Sequence, residues 1–168
     1  MRRVAMALAV SALCLGALAQ AGEVRRLAVK DYIDKMKGGW VGQMAGVGWG
    51  APTEFKWKGK IIPADRMPKW HPGMVNQFDQ DDIYVEMTFL HSLETHGLDV
   101  SLRQAGIDFA NSGYRLWHAN AAGRDNLRRG IAPPDSGHPQ FNKHADDIDY
   151  QIESDFSGLI APGLPNAV

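Results

Sequence analysis

The residues Asp79-Gln80-Asp81-Asp82 put three carboxylates into four consecutive positions, and an apolar pattern of helical period starts directly after them. One aspartate at such a place is a helix cap, meeting free amide donors and the positive end of the helix dipole. Three repel one another unless a cation sits among them. Oxygen donors of this kind suit Mg²⁺, Mn²⁺ or Ca²⁺ rather than zinc. The spacing alone admits both a capped helix start and a metal site. It is not an EF-hand loop, because no glycine stands at the sixth position.

A second acidic group, Asp146-Asp147-Ile148-Asp149, also precedes an apolar period. It reads either as a solvated, capped helix start or as ligand contacts and support for the first cluster. The six histidines form no HExxH or HxH signature, so zinc chemistry is not indicated. Ser136 lies in Asp-Ser-Gly-His and lacks the GxSxG elbow of a serine hydrolase. The glycine run from Gly38 to Gly50 is not a phosphate-binding loop: it has no GxxxxGK[ST] and no strand before it. Gly42 and Gly46 stand four apart and share one helix face. That face serves either close helix packing or the approach of backbone to a ligand.

These residues need elements to hold them. Ala28 to Val47 is predicted as a helix with Val29, Ile33, Met36 and Trp40 on one face. Ala51 to Gln77, rich in Pro, Gly, Lys and Trp, is predicted as a long loop. Trp57 and Trp70 would either plug it onto the core or stack on a ligand ring. Asp82 to His96 is the clearest helix, with Ile83, Met87, Phe89, Leu90 and Leu93 as its stripe and Gly97 as its stop. Ser101 to Ser112 is a third helix, capped by Asp99 or Ser101, with Leu102, Ala105, Ile107 and Phe109 inward. Tyr114 to Ala121 is read as its continuation, and Arg124 to Arg129 as a short basic turn. Pro133 to Gly137 is a turn cluster. Asp146 to Leu159 is the last helix, with Ile148, Ile152, Phe156 and Leu159 inward. No strand pair is found, so the predicted class is all-α.

The 168 residues carry a net charge of −1, with 45% hydrophobic and 22% charged residues. That suits one globular domain, or part of one. It gives no reason to expect nucleic acid or an anionic membrane as partner. The N-terminus reads differently. Arg2 and Arg3 precede an apolar run from Val4 to Ala19 that contains Ala17-Leu18-Ala19. Residues 1–21 are expected to be a cleaved signal peptide, making the protein periplasmic or secreted, with no membrane span after cleavage. Cys14, the single cysteine, lies inside that segment, so the mature chain has neither disulfide nor thiol nucleophile.

Two stretches together resemble the ADP-ribosylglycohydrolase family, including its dinitrogenase-reductase-activating type. Gly38 to Phe55, ending Gly48-Trp49-Gly50-Ala51-Pro52-Thr53-Glu54-Phe55, is similar to the family's glycine-rich first helix. Gln80-Asp81-Asp82-Ile83 resembles its Thr-Asp-Asp-Thr metal motif, also at a helix head. Order, spacing and helix context agree across both. The resemblance implies a multi-helix fold, a dinuclear Mg²⁺ or Mn²⁺ centre, and a small-molecule or protein-linked ribosyl or glycosyl substrate. It implies Asp81 and Asp82 as metal ligands, with Gln80 in the place of a threonine ligand. Glu54 matches the acid closing the first motif, and Glu54 or Asp81 would take a proton from the attacking water. Gly42, Gly46, Asp147 and Asp149 would face the substrate. Two positions depart from the pattern: Val47 stands where the family has Asp, and Ile83 where it has the second Thr. No second metal motif Asp-x-Asp-Thr/Ser follows. Residues 27–168 are therefore expected to be the N-terminal part of a truncated domain, weakly active or inactive alone.

Two other functions fit the same residues. In one, the acids only cap a helix and the Trp-rich loop makes the chain a non-catalytic binding module. In the other, Glu54 and Asp82 act as the two carboxylates of a metal-independent glycoside hydrolase.

Overall fold

The computed structural model describes residues 26–161. The expected signal peptide at 1–21 and the residues after Ala161 lie outside the described residues. The chain divides into two compact units, to Lys35 and from Met36. Of the first, residues 26–35 are described, and they hold the exposed start of α1 (Val29–Gly50). All regular structure among the described residues is helical, as the sequence predicts: α1, α2 (Asp81–His96), α3 (Leu102–Asn111), α4 (His118–Arg128) and α5 (Asp155–Ile160), with short 3-10 turns between them. No helix among the described residues is long and apolar enough to cross a membrane.

The core of the second unit gathers where α2, α3 and α4 meet. Val85, Phe109 and Leu116 are buried there, with Phe89, Tyr114, Ala121 and Leu127 packed around them. The Phe89 and Phe109 rings lie 5.7 Å apart in a tilted pair. Gly106 permits the closest approach: a Cβ there would come within 2.7 Å of Pro133 and 3.2 Å of Leu127. Gly97 ends α2 with φ at 83°, and its amide donates to the Leu93 carbonyl. Ser101 caps α3 by accepting from the Gln104 amide at 3.1 Å.

Several local expectations are corrected. On α1, Val29 and Ile33 are exposed, whereas Met36 and Trp40 are partly covered. On α2, Met87 faces solvent, while Glu86 and Ser92, both polar, are 1% exposed. On α3, Leu102 and Ile107 are exposed. Periodicity points to a face but does not reveal which polar residues are paired inside it. Ser92 is paired: its hydroxyl donates to Asp108 at 2.6 Å.

Tyr114 does not continue α3. The chain runs without regular structure from Ser112 to Trp117, and α4 occupies the stretch expected to be a basic turn. The arginines explain the arrangement. Arg124 donates to the Tyr114 carbonyl at 2.8 Å, and Arg128 donates to Ala110 and Ser112 carbonyls at 2.8 and 2.7 Å. Cations on α4 thus satisfy the free carbonyls at the end of α3. The last predicted helix is two pieces: a 3-10 segment, Ile148–Glu153, then α5. Ile148 is 67% exposed. Between Ala51 and Gln77 the predicted loop is irregular apart from three 3-10 turns. Trp49 Nε1 donates to the Pro68 carbonyl at 2.8 Å, Trp57 is partly buried and Trp70 stays exposed.

Candidate functional site

A cleft of about 1080 Å³ opens at the head of α2. Four stretches line it: the end of α1 with the turn after it, Phe78 to Asp82, the segment that begins α4, and the one that begins the 3-10 helix at Ile148. It brings together Glu54, Asp81, Asp82, Asp147 and Asp149, five of the residues the sequence singles out.

Asp81 and Asp82 are half-buried in the first turn of α2. Burial raises Asp81 to about 6, with the Asp82 charge and, more weakly, Asp149 adding to it. Burial raises Asp82 as well, against the opposing pull of its backbone hydrogen bond. Asp149 is 7% exposed and accepts from the Asn120 amide at 3.0 Å. That amide lies in the first turn of α4, so a helix N-terminus supports the Asp149 charge. Glu54 follows the turn Ala51–Thr53 and is exposed on the cleft.

Gln80, Gly42 and Gly46 lie elsewhere. Gln80 is 6% exposed, and its Nε2 donates to the Val75 carbonyl at 2.7 Å and to Met44 at 3.4 Å. Its Oε1 is buried without a partner. Gly42 and Gly46 are exposed, and a Cβ at either would meet nothing within 4 Å. The glycine of α1 that packing requires is Gly48, where a Cβ would come within 2.9 Å of the Met74 carbonyl oxygen. Gly50 is the α1 glycine that reaches the cleft.

Sequence reasoning missed a row of acids behind the cleft. Glu86 is fully buried, and its Oε1 accepts from Gln43 Nε2 at 2.7 Å while its Oε2 has no partner. The same Gln43 nitrogen reaches Asp155 at 3.3 Å. Burial, then the nearby Asp155, drive Glu86 up to about 7. Burial likewise raises Glu153 to about 8, although Asn120 donates to it. Glu86 lies one helical turn beyond Asp82, on the face that carries Ile83; that i,i+4 spacing was the available signal. His118 and Phe55, the two non-glycine residues with positive φ among the described residues, both line the cleft.

The donor chemistry fits a hard divalent cation. Neighbouring carboxylates crowd one another, and among the described residues no Lys or Arg ion pair reaches Asp81 or Asp82: Arg115 pairs instead with Asp79 at 3.6 Å, and Lys58 lies over the Phe55 ring. Among the described residues no three His, Cys, Asp or Glu side chains converge to hold a metal ion. The described residues therefore offer Asp81 and Asp82 as a pair rather than a closed cage.

Comparison with curated proteins gives no match, nor does comparison with solved structures. The family model described as ADP-ribosylglycohydrolase matches residues 28–160. That match spans α1 to α5, the glycine-rich helix and the aspartate pair at the head of α2. The chain belongs to the ADP-ribosylglycohydrolase family, a family of hydrolases.

Proposed function

We propose that the protein is a metal-dependent glycohydrolase that cleaves an ADP-ribosyl or related ribosyl bond in the cleft at the head of α2. The observation that carries this reading is the meeting of Asp81, Asp82, Glu54 and Asp149 in one cleft of a chain from this family. Asp81 and Asp82 would hold Mg²⁺ or Mn²⁺. When bound, the cation supplies positive charge that orients ribose hydroxyls and acidifies a nearby water.

The chain's own residues do the rest. Glu54, exposed on the cleft, would take a proton from the attacking water, with Asp81 as the alternative acceptor. The carboxylates stabilise the positive charge that builds on the ribose as the bond breaks. Asp147 and Asp149 line the same space and would accept hydrogen bonds from sugar hydroxyls. The N-terminal sequence supports export, so the substrate is one met outside the cytoplasm.

The test incubates the protein with an ADP-ribosylated peptide in Mn²⁺ and in EDTA and measures free ADP-ribose. The expected result is slow release in Mn²⁺, in keeping with a weakly active chain, with loss in EDTA and loss in the Asp81→Asn, Asp82→Asn double variant. Unchanged release in EDTA would favour the two-carboxylate mechanism of Glu54 and Asp82. Absence of release, with ligand binding unaffected by the double variant, would favour a binding module.

A further inference from the structure

His118 lines the cleft, and none of the roles given to the carboxylates uses it. It opens α4 with φ at 36°, in the left-handed region. That conformation is strained for a non-glycine residue and persists only where the surroundings enforce it. The surroundings here are specific. The His118 ring packs on His144, with centroids 5.4 Å apart and planes inclined by 31°. His144 Nδ1 lies 2.8 Å from Asp147 Oδ2. The His144 main-chain amide donates to Asn142 Oδ1 at 3.0 Å, and Asn142 Nδ2 donates to the carbonyl of Ala119, the next residue after His118. Asn142 is 3% exposed. A buried amide thus ties the two histidine segments together, and a carboxylate holds the second ring. The His118 side chain makes no hydrogen bond or ion pair among the described residues, so its ring nitrogens are free to meet a ligand.

The charge around it gives the imidazole a task. Besides His118, the ionisable groups of the cleft are Lys58, which lies over Phe55, and carboxylates on every wall: Glu54, Asp79, Asp81, Asp82, Asp147 and Asp149. Carboxylates suit the removal of a proton from water and the support of a positive sugar. Bond cleavage also needs a proton delivered to the departing atom, and imidazole is the side chain that ordinarily holds and gives up a proton near neutral pH.

We propose that His118 is a catalytic residue of this cleft, the general acid that protonates the leaving atom as the anomeric bond breaks. The inference rests on the glycohydrolase reading. The bond from the anomeric carbon to the leaving oxygen breaks, and its electron pair stays on that oxygen. The imidazolium N–H proton moves to the same oxygen. Water forms the new bond to the anomeric carbon, and its proton passes to Glu54 or Asp81. The now neutral His118 recovers a proton from solvent and the carboxylate releases the one it took, so that one water is consumed in all. Strain and stacking fix the ring so that the proton is aimed before substrate arrives.

Two substrates that differ in their need for a proton provide the test. An ADP-ribosyl ether of a peptide serine expels an alkoxide and needs one; 4-nitrophenyl ADP-ribose expels a stable phenolate and does not. His118→Gln is expected to lower kcat/KM on the serine ether about 100-fold, and on the nitrophenyl ether less than tenfold. His118→Gly accepts the positive φ without strain and guards against misfolding of the first variant. Added imidazole should restore its turnover of the serine ether. The measured quantity is a ratio within one chain, so slow turnover suffices. Equal losses on both substrates, or no imidazole rescue, would overturn the role of His118 and leave the glycohydrolase reading standing. If the unaltered protein cleaves neither substrate, the glycohydrolase reading fails and this inference falls with it.

Discussion

Glu153 offers a measurable account of what crowding acids behind the cleft costs. It ends the 3-10 segment Ile148–Glu153 and accepts a hydrogen bond from the Asn120 side chain. Burial outweighs that bond, and with the charges of Asp149, Asp82 and Glu86 it raises the carboxyl from 4.5 to about 8. The folded protein therefore keeps a proton that the unfolded chain releases. Stability from this group is fully present below pH about 4.5 and is lost as pH rises through about 8. The two pKa values lie about 3.5 apart, and each unit corresponds to about 1.36 kcal/mol. After discounting for partial exposure, the loss across the window is on the order of 4 kcal/mol. Glu153→Gln keeps the acceptor for Asn120 and cannot ionise. Urea unfolding followed by circular dichroism, in EDTA at pH 5 and pH 8.5, compares variant with parent. The variant should gain about 3 kcal/mol relative to the parent between the two pH values, which span most but not all of that window. A difference that stays constant within 1 kcal/mol would refute the reasoning, because Glu153 would then be ionised in the folded state at neutral pH.

Other outcomes follow from the same structure. Asp81 is held at about 6, so protons compete with the proposed cation there: Mn²⁺ affinity by calorimetry should fall as pH drops below 6, by up to about tenfold per unit, and Asp81→Asn should flatten that dependence. Asn126, wholly buried, donates to the Ser136 and Phe141 carbonyls at 2.8 and 2.9 Å. Asn126→Ala should cost about 2–3 kcal/mol in thermal or urea unfolding, since both carbonyls lose their donor. Gly46→Ala meets open space on a helix and should stabilise by about 0.5–1 kcal/mol. Gly48→Ala meets the Met74 backbone at 2.9 Å and should destabilise by about 1–3 kcal/mol. The same melting experiment separates the two, and equal shifts would contradict the packing described.

The helices around the core were legible because their signals are local. Ser101 caps α3 and Gly97 stops α2, at the places the sequence marks. The acid group at 79–82 announced the head of α2, and the cleft collects it with Glu54, Asp147 and Asp149. What the sequence hid is non-local. Arg124 and Arg128 look like a polar turn until the carbonyls of Ala110, Ser112 and Tyr114 are seen beside them. Glu86 looks solvated until Gln43 is brought to it from 43 residues away. His118 looks like one more surface histidine until its backbone angle and its stack on His144 are known. Asp146 to Leu159 carries helical spacing, yet Asp149 and Glu153 are drawn to Asn120, and the segment winds as a 3-10 turn instead.

Three asparagines, 120, 126 and 142, pin the irregular stretch from 131 to 153 against α4, each through donors that a carboxylate lacks. The tolerance of the two halves of the unit is therefore inverted. Val85, Phe109 or Leu116 can be exchanged for another apolar side chain of similar volume at modest loss. A change from amide to acid, nearly invisible in shape, would remove the donor and set a new negative charge against the carbonyls and the carboxylate it had served. An Asn-to-Asp change at 120 or 142 would thus loosen the segments that carry Asp147 and Asp149, leaving a preparation that looks folded by its helical signal while its reaction chamber has come loose.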